Sequence, residues 1–230
     1  MIDRGSMKNH LNRALALILL APALAIAEVP GALVTLEVAA PMSSGLVAGA
    51  LPPRFVLLED GQVFVGGTSQ MAAGRLDKTE MKDVEQRLAL VRKLPGQGRA
   101  IAFGDAATPR FHLQSAKNKL DVVVTGELVS APAGLQPLAS LLRFLLAFDH
   151  PSLRPYEPAS FAVSAREAPL VGGCRSWRLP VPLAEAVSGP RVVGASDAFD
   201  WPSGAVPAAV CEGERRFVVT LRPLLPGERP

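Results

Sequence analysis

With 230 residues, 49% of them hydrophobic, and 24 Lys and Arg against 21 Asp and Glu, the chain has the size and packing material of one globular domain with room for a small appendage. Its cations are scattered and no basic block is interleaved with aromatics, which argues against a nucleic-acid partner. Past residue 27 the only His are His112 and His150, the only Tyr is Tyr156 and the only Asn is Asn118, so reactive side chains are scarce.

Residues 1–27 read as a signal peptide. Met7 to Arg13 supply a positive start, Ala14 to Leu24 an apolar core, and Ala25-Ile26-Ala27 a small-x-small cleavage site before Glu28. The apolar run is shorter than the roughly 20 residues a membrane-spanning helix needs, and no Cys stands at the cleavage site to carry a lipid. Cleavage would remove Asp3, Arg4, Lys8 and Arg13 and lower the formal net charge from +3 to about +1. The expected location is periplasmic or secreted, with no stable membrane anchor after processing.

Residues 28–53 contain one strand, Ala32 to Ala39, and a breaker-rich loop with Pro41, Gly45, Pro52 and Pro53. Residues 54–158 carry the best-specified elements. Phe55 to Leu58 and Val63 to Val65 alternate around Glu59-Asp60-Gly61-Gln62, in which Asp-Gly tolerates the positive φ of a tight turn. A helix then starts at Asp77, whose side chain can cap it, with Glu80 placed to complete a capping box and Leu76 to staple against Met81. Met81, Val84, Leu88 and Val91 form its apolar stripe, and Pro95-Gly96 ends it. The plan repeats in Phe111 to Gln114, Leu120 to Thr125, and a helix from Pro137 carrying Leu138, Leu141, Leu142, Leu145 and Phe148. The expected fold is α+β: an antiparallel sheet built from two ββα units with two helices on one face, plus a β-rich C-terminal section.

That closing section, residues 159–230, is rich in Pro and lacks helical periodicity. Its short apolar runs lie at Phe161 to Ser164, Ser176 to Val181, Arg191 to Val193 and Phe217 to Leu221. The tail Arg222-Pro223-Leu224-Leu225-Pro226 is expected to lie extended over the surface. Cys174 and Cys211 are the only cysteines. An oxidising compartment favours a disulfide between them; two buried thiols, or half of a metal site, are the alternatives.

Asp60-Gly61-Gln62-Val63, Gly74-Arg75-Leu76 and Tyr156-Glu157-Pro158 together resemble uncharacterised domains of unknown function found in secreted bacterial proteins. The likeness covers Arg54 to about Pro158, with a weaker echo at Arg222 to Pro226. It implies a fold and an export route, and it carries no catalytic residue.

No set of residues makes a catalytic, cofactor or metal site by its spacing. Gly194-Ala195-Ser196-Asp197-Ala198 follows a short strand as a nucleophile elbow does, but Pro202 interrupts any following helix and no His lies downstream. Asp197 and Asp200 fall short of the six to eight oxygens calcium takes. His150 suits the C-terminal end of a helix, and His112 sits in an alternating strand. Gly66-Gly67-Thr68-Ser69 and Gly172-Gly173 lack the Lys and helix of a phosphate loop. The surfaces expected to bind are the sheet face opposite the helices or an exposed strand edge, and the loop group of Trp177, Trp201, Asp197 and Asp200 beside the cysteines. The expected function is a non-catalytic envelope protein that binds another envelope protein or a peptide. The alternatives are an envelope hydrolase using carboxylates that only the fold brings together, or a sugar-binding module with an exposed Trp.

Overall fold

The computed structural model describes residues 29–39, 51–67, 70–94, 100–103, 109–169, 172–198, 200–201 and 208–230. The expected signal segment, the loop 40–50, Thr68-Ser69, the helix stop at Pro95-Gly96 and Pro202 lie outside these residues. The fold is mixed α+β, mostly sheet, with three α-helices among the described residues. Two sheets are present, both largely antiparallel.

The first sheet has eight strands in the order β5-β7-β6-β1-β2-β3-β4-β8. In chain order these are β1 (Ala32–Ala39), β2 (Phe55–Leu58), β3 (Gln62–Val65), β4 (Ala72–Arg75), β5 (Ala100–Phe103), β6 (Arg110–Ser115), β7 (Leu120–Gly126) and β8 (Arg154–Pro155). The N-terminal strand is central rather than peripheral: β1 pairs antiparallel with β2 on one side and with β6 on the other, joining the two halves. Each half places three strands before its helix, not two. β4 follows the first hairpin, and β5 precedes the second and runs parallel to β7.

α1 (Lys78–Arg92) and α2 (Gln136–Leu146) share a core with one face of this sheet. They are specified by different means. In α1 the Asp77 carboxylate accepts from the amides of Thr79 and Glu80 at 2.7 and 2.9 Å, and Glu80 reaches back to the Asp77 amide at 2.7 Å, so the capping box is complete. Asp77→Ala is expected to lower stability by about 0.5–2 kcal/mol, read as a shifted urea midpoint with unchanged slope. α2 has no side-chain cap. It is held by burial of Leu138, Leu141, Leu142 and Leu145, each at most 1% exposed, at roughly 1.5–3 kcal/mol per fully buried side chain.

The turn between β2 and β3 needs its glycine. Gly61 has φ +88°, and a Cβ there would lie 2.8 Å from the Leu76 carbonyl, a position only Gly occupies without strain. Asp60 completes the turn by accepting from the Gln62 amide at 2.9 Å.

The second sheet has five strands in the order β10-β12-β13-β9-β11. They are β9 (Ser160–Glu167), β10 (Arg175–Ser176), β11 (Arg191–Gly194), β12 (Ala208–Glu212) and β13 (Arg215–Pro223). Its own core gathers Val163, Val210, Phe217, Val219 and Leu221 against Leu183 and Ala186 of α3 (Leu183–Ser188). α3 corrects the expectation of a section without helix; six residues are too few to show a periodicity. Of the apolar run 176–181, only Ser176 is in a strand.

The tail is also corrected. Arg222, Leu224 and Leu225 are buried, because the chain leaving β13 crosses onto the first sheet. There Leu225 packs with Val56, Phe64 and Met71 on the face away from α1 and α2.

Candidate functional site

The loops beside the cysteines are tied by the disulfide. Cys174 and Cys211 are bonded, with their Cα atoms 5.6 Å apart, and Ser176 pairs with Cys211 across β10 and β12. The bridge brings Trp177 and Trp201 together edge to face at 5.6 Å between centroids. Trp201 is buried in the second core, while Trp177 is half-buried and donates its indole N–H to the Val181 carbonyl at 2.7 Å. Arg175 lies 5.4 Å over the Trp201 ring and donates to the Asp200 carbonyl. The two rings therefore pack on each other instead of forming an exposed platform for a sugar. Asp197 and Asp200 are exposed in the loop that follows β11. Ser196 sits in a turn with no helix at residues 195–198, so the elbow geometry is absent there.

A second group lies on the first sheet's face away from α1 and α2, beside the tail. Glu37 of β1 stands opposite His112 of β6, and the His112 Nε2 is 2.6 Å from the Asp121 carboxylate of β7. The tail brings Arg222 and Glu228 nearby as an ion pair at 2.6 Å, with the two side chains 9% and 0% exposed. The second oxygen of Glu228 accepts from the Leu225 amide at 2.8 Å. Desolvation pushes the Glu37 carboxyl above its ordinary value, against the pull of His112 and Arg222, and Glu228 adds to the push. A carboxyl whose pKa is raised by folding favours the folded state below its ordinary value of 4.5 and loses that contribution as pH rises through the folded value. Glu37→Gln is therefore expected to raise the melting temperature at pH 7–8 relative to wild type, and the difference should close as the pH falls below about 4.5.

The third place is the seam between the sheets. Arg54 precedes β2, and its Nε and Nη2 donate to the Leu146 carbonyl at the end of α2, the Nε at 3.0 Å, while Nη1 donates to the Gly66 carbonyl at 3.0 Å. The cation thus complements the negative end of the helix, and burial lowers its proton affinity. Further along, Ser152 substitutes for a strand partner. Its hydroxyl accepts from the Arg75 amide at 3.0 Å and donates to the Arg75 carbonyl at 3.1 Å, two positions beyond the last β4–β8 pair, Ala73 with Arg154. His150 braces this hydroxyl at 2.7 Å through Nδ1 and reaches Glu80 at 2.8 Å through Nε2. The Asp77 amide, and then His150, hold the Glu80 carboxyl below its ordinary value. Ser, His and Glu are thus in line, but the Ser oxygen faces the backbone of β4: a Cβ on Gly74 would lie 2.5 Å from it. The three anchor a wall.

That wall continues into β8 and Tyr156, whose amide donates to the Met71 carbonyl at 2.8 Å and whose hydroxyl donates to the Leu224 carbonyl at 2.9 Å. Between it and the ends of β3, β9 and β13 opens a cleft of about 590 Å³. Arg54, Gln70, Met71, Arg154, Tyr156 and Phe161 are among its lining side chains, and no Asp or Glu lines it among the described residues. Its volume lies in the roughly 300–1,000 Å³ range of ligand sites, and its mixture of apolar wall and a few polar groups is the usual composition. Sequence reasoning missed Arg54 and Arg154. The one available signal was a charged residue set directly against the apolar run of β2, which requires a buried partner.

Among the described residues no group of three His, Cys, Asp or Glu is placed to hold a metal ion, and no helix is long and apolar enough to cross a membrane. Comparison with protein-family models, curated proteins and solved structures finds no match to this chain.

Proposed function

We propose that this protein is an exported, non-catalytic module that binds an extended peptide, or a loop of another envelope protein, in the cleft at the seam of its two sheets. The observation that carries the reading is the cleft itself, a ligand-sized volume whose walls come from both sheets and whose side chains are fixed by backbone hydrogen bonds. Fixed walls matter because a pre-organised site avoids the ordering cost of binding. Export is supported by the Cys174–Cys211 disulfide, which suits an extracytoplasmic location, and by the signal-like composition of residues 1–27.

The test is affinity selection of a random heptapeptide pool on the disulfide-bonded protein, with Ala72→Trp as a variant that fills the cleft. Enrichment on wild type that disappears in the filled variant is expected. Equal recovery from both would overturn the reading.

The hydrolase reading has one observation in its favour, the raised carboxyl of Glu37 beside His112. Its neighbour Glu228 already has both oxygens bound, and the cluster's other carboxylate, Asp121, is engaged by His112 through one oxygen. Hydrolysis of a model peptide or ester that is abolished by Glu37→Gln, with folding intact, would restore it.

A further inference from the structure

The charge of the seam cleft is one-sided. Arg54 and Arg154 both line it, and no carboxylate does among the described residues. The hydrogen-bond acceptors of both guanidinium groups are backbone carbonyls: Leu146 and Gly66 for Arg54, Pro151 and Leu153 for Arg154. Carbonyl oxygens fix the orientation of a guanidinium and leave its full charge uncancelled. Elsewhere in the molecule several arginines meet carboxylates, as in Arg75–Asp60, Arg215–Glu167 and the buried Arg222–Glu228, whereas both arginines of the cleft bond to carbonyls alone, as Arg175 does at the Asp200 carbonyl. Arg54 by itself would be accounted for as the cation at the end of α2. Arg154 has no such role, since it sits on the edge strand β8 and is exposed. The apolar neighbours Met71, Tyr156 and Phe161 exclude part of the solvent and so strengthen a charge pair formed there.

We infer that the occupant of this cleft is an acidic peptide, with a side-chain carboxylate received by Arg154 and Arg54 and its neighbouring apolar groups lying against Met71, Tyr156 and Phe161. The inference rests on the binding reading above and names the chemistry of its ligand. A planar guanidinium fork presents two parallel N–H donors to a carboxylate, which makes such pairs shorter and about twice as strong as neutral hydrogen bonds. The gain at a partly desolvated site corresponds to at least about tenfold in affinity over an uncharged isostere, and it weakens with added salt.

The experiment uses two heptapeptide pools with acetylated and amidated ends, identical except that every Glu in one is Gln in the other, and a third pool equal to the Gln pool but with a free C-terminal carboxylate. Each is equilibrated with the disulfide-bonded protein, with Arg154→Gln and with the cleft-filling Ala72→Trp. Arg154 is the residue to change because Arg54 also ties β2 to α2, and circular dichroism verifies that the variants are folded. The Glu pool is expected to be retained about tenfold or more over the Gln pool on wild type, with the preference falling to within about twofold on Arg154→Gln. Equal retention of Glu and Gln pools overturns the acidic ligand and leaves the binding reading standing. A Glu preference unchanged by Arg154→Gln overturns the assignment to this cation pair. Retention restricted to the free-terminus pool replaces the side-chain carboxylate by a chain end. If no pool is retained above the filled variant, the binding reading falls with the inference.

Discussion

Glu228→Ala is expected to destabilise the protein by about 3–5 kcal/mol, the cost of leaving the other member of a buried ion pair unpaired. The Glu228 side chain is fully buried and that of Arg222 is 9% exposed. Truncation would strand the guanidinium inside and also take away the acceptor of the Leu225 amide. Against a total stability of about 5–15 kcal/mol for an ordinary domain, the loss would be visible as a large fall in urea midpoint. The control is the paired change Arg222→Met with Glu228→Leu, which removes both charges at similar volume. It is expected to cost much less than either truncation, since the attraction of a buried pair is largely spent on desolvating it. If Glu228→Ala and the paired change are equally mild, the tail is not held by this ion pair.

Loss of the disulfide is the second large effect. Cys174→Ala with Cys211→Ala opens a loop spanning a sequence separation of 37, for which restriction of the unfolded chain predicts a loss of about 2–4 kcal/mol. Geometry points the same way. β10 has two residues, Arg175 and Ser176, and its pairing with β12 ends at Cys211, so the bridge sits beside a contact too short to hold by itself. The variant is expected to unfold at lower urea, and wild type treated with reductant should fall to the same midpoint while the variant does not respond. A variant as stable as oxidised wild type would show the bridge to be energetically idle.

What could be read from the chain, and what could not, follows the range of the interactions involved. α1 was legible because Asp77, Glu80, Leu76 and Met81 are neighbours and cap geometry is local. The β2–β3 turn was legible for the same reason. The Cys174–Cys211 pair was legible from count and compartment. β4 was not, since Ala72-Ala73-Gly74-Arg75 has neither β-branched residues nor a turn of its own and becomes a strand by pairing with β3 and β8. The central place of β1 was hidden because its partners β2 and β6 are set by long-range register. The candidate site was the least legible part: Arg54 finds the end of α2 at a separation of 92 residues, and Phe161 and Pro223 reach the cleft from the other sheet. The loop group around Trp177 and Trp201 drew attention because aromatic and acidic residues cluster there in sequence. Two large rings joined edge to face are also what a small core uses to fill space.

The crossing of the tail from β13 onto the first sheet has a consequence for when this protein can finish folding. Val56, Phe64 and Met71 lie in or beside β2, β3 and β4, yet the side chain that packs on them, Leu225, and the acid that locks it in place, Glu228, follow the last strand, β13. The first sheet can gather α1 and α2 on one side while its other side is still uncovered. Closure waits for residues 224–228, so an intermediate short of that segment is expected to show exposed apolar surface and to be easily unfolded again.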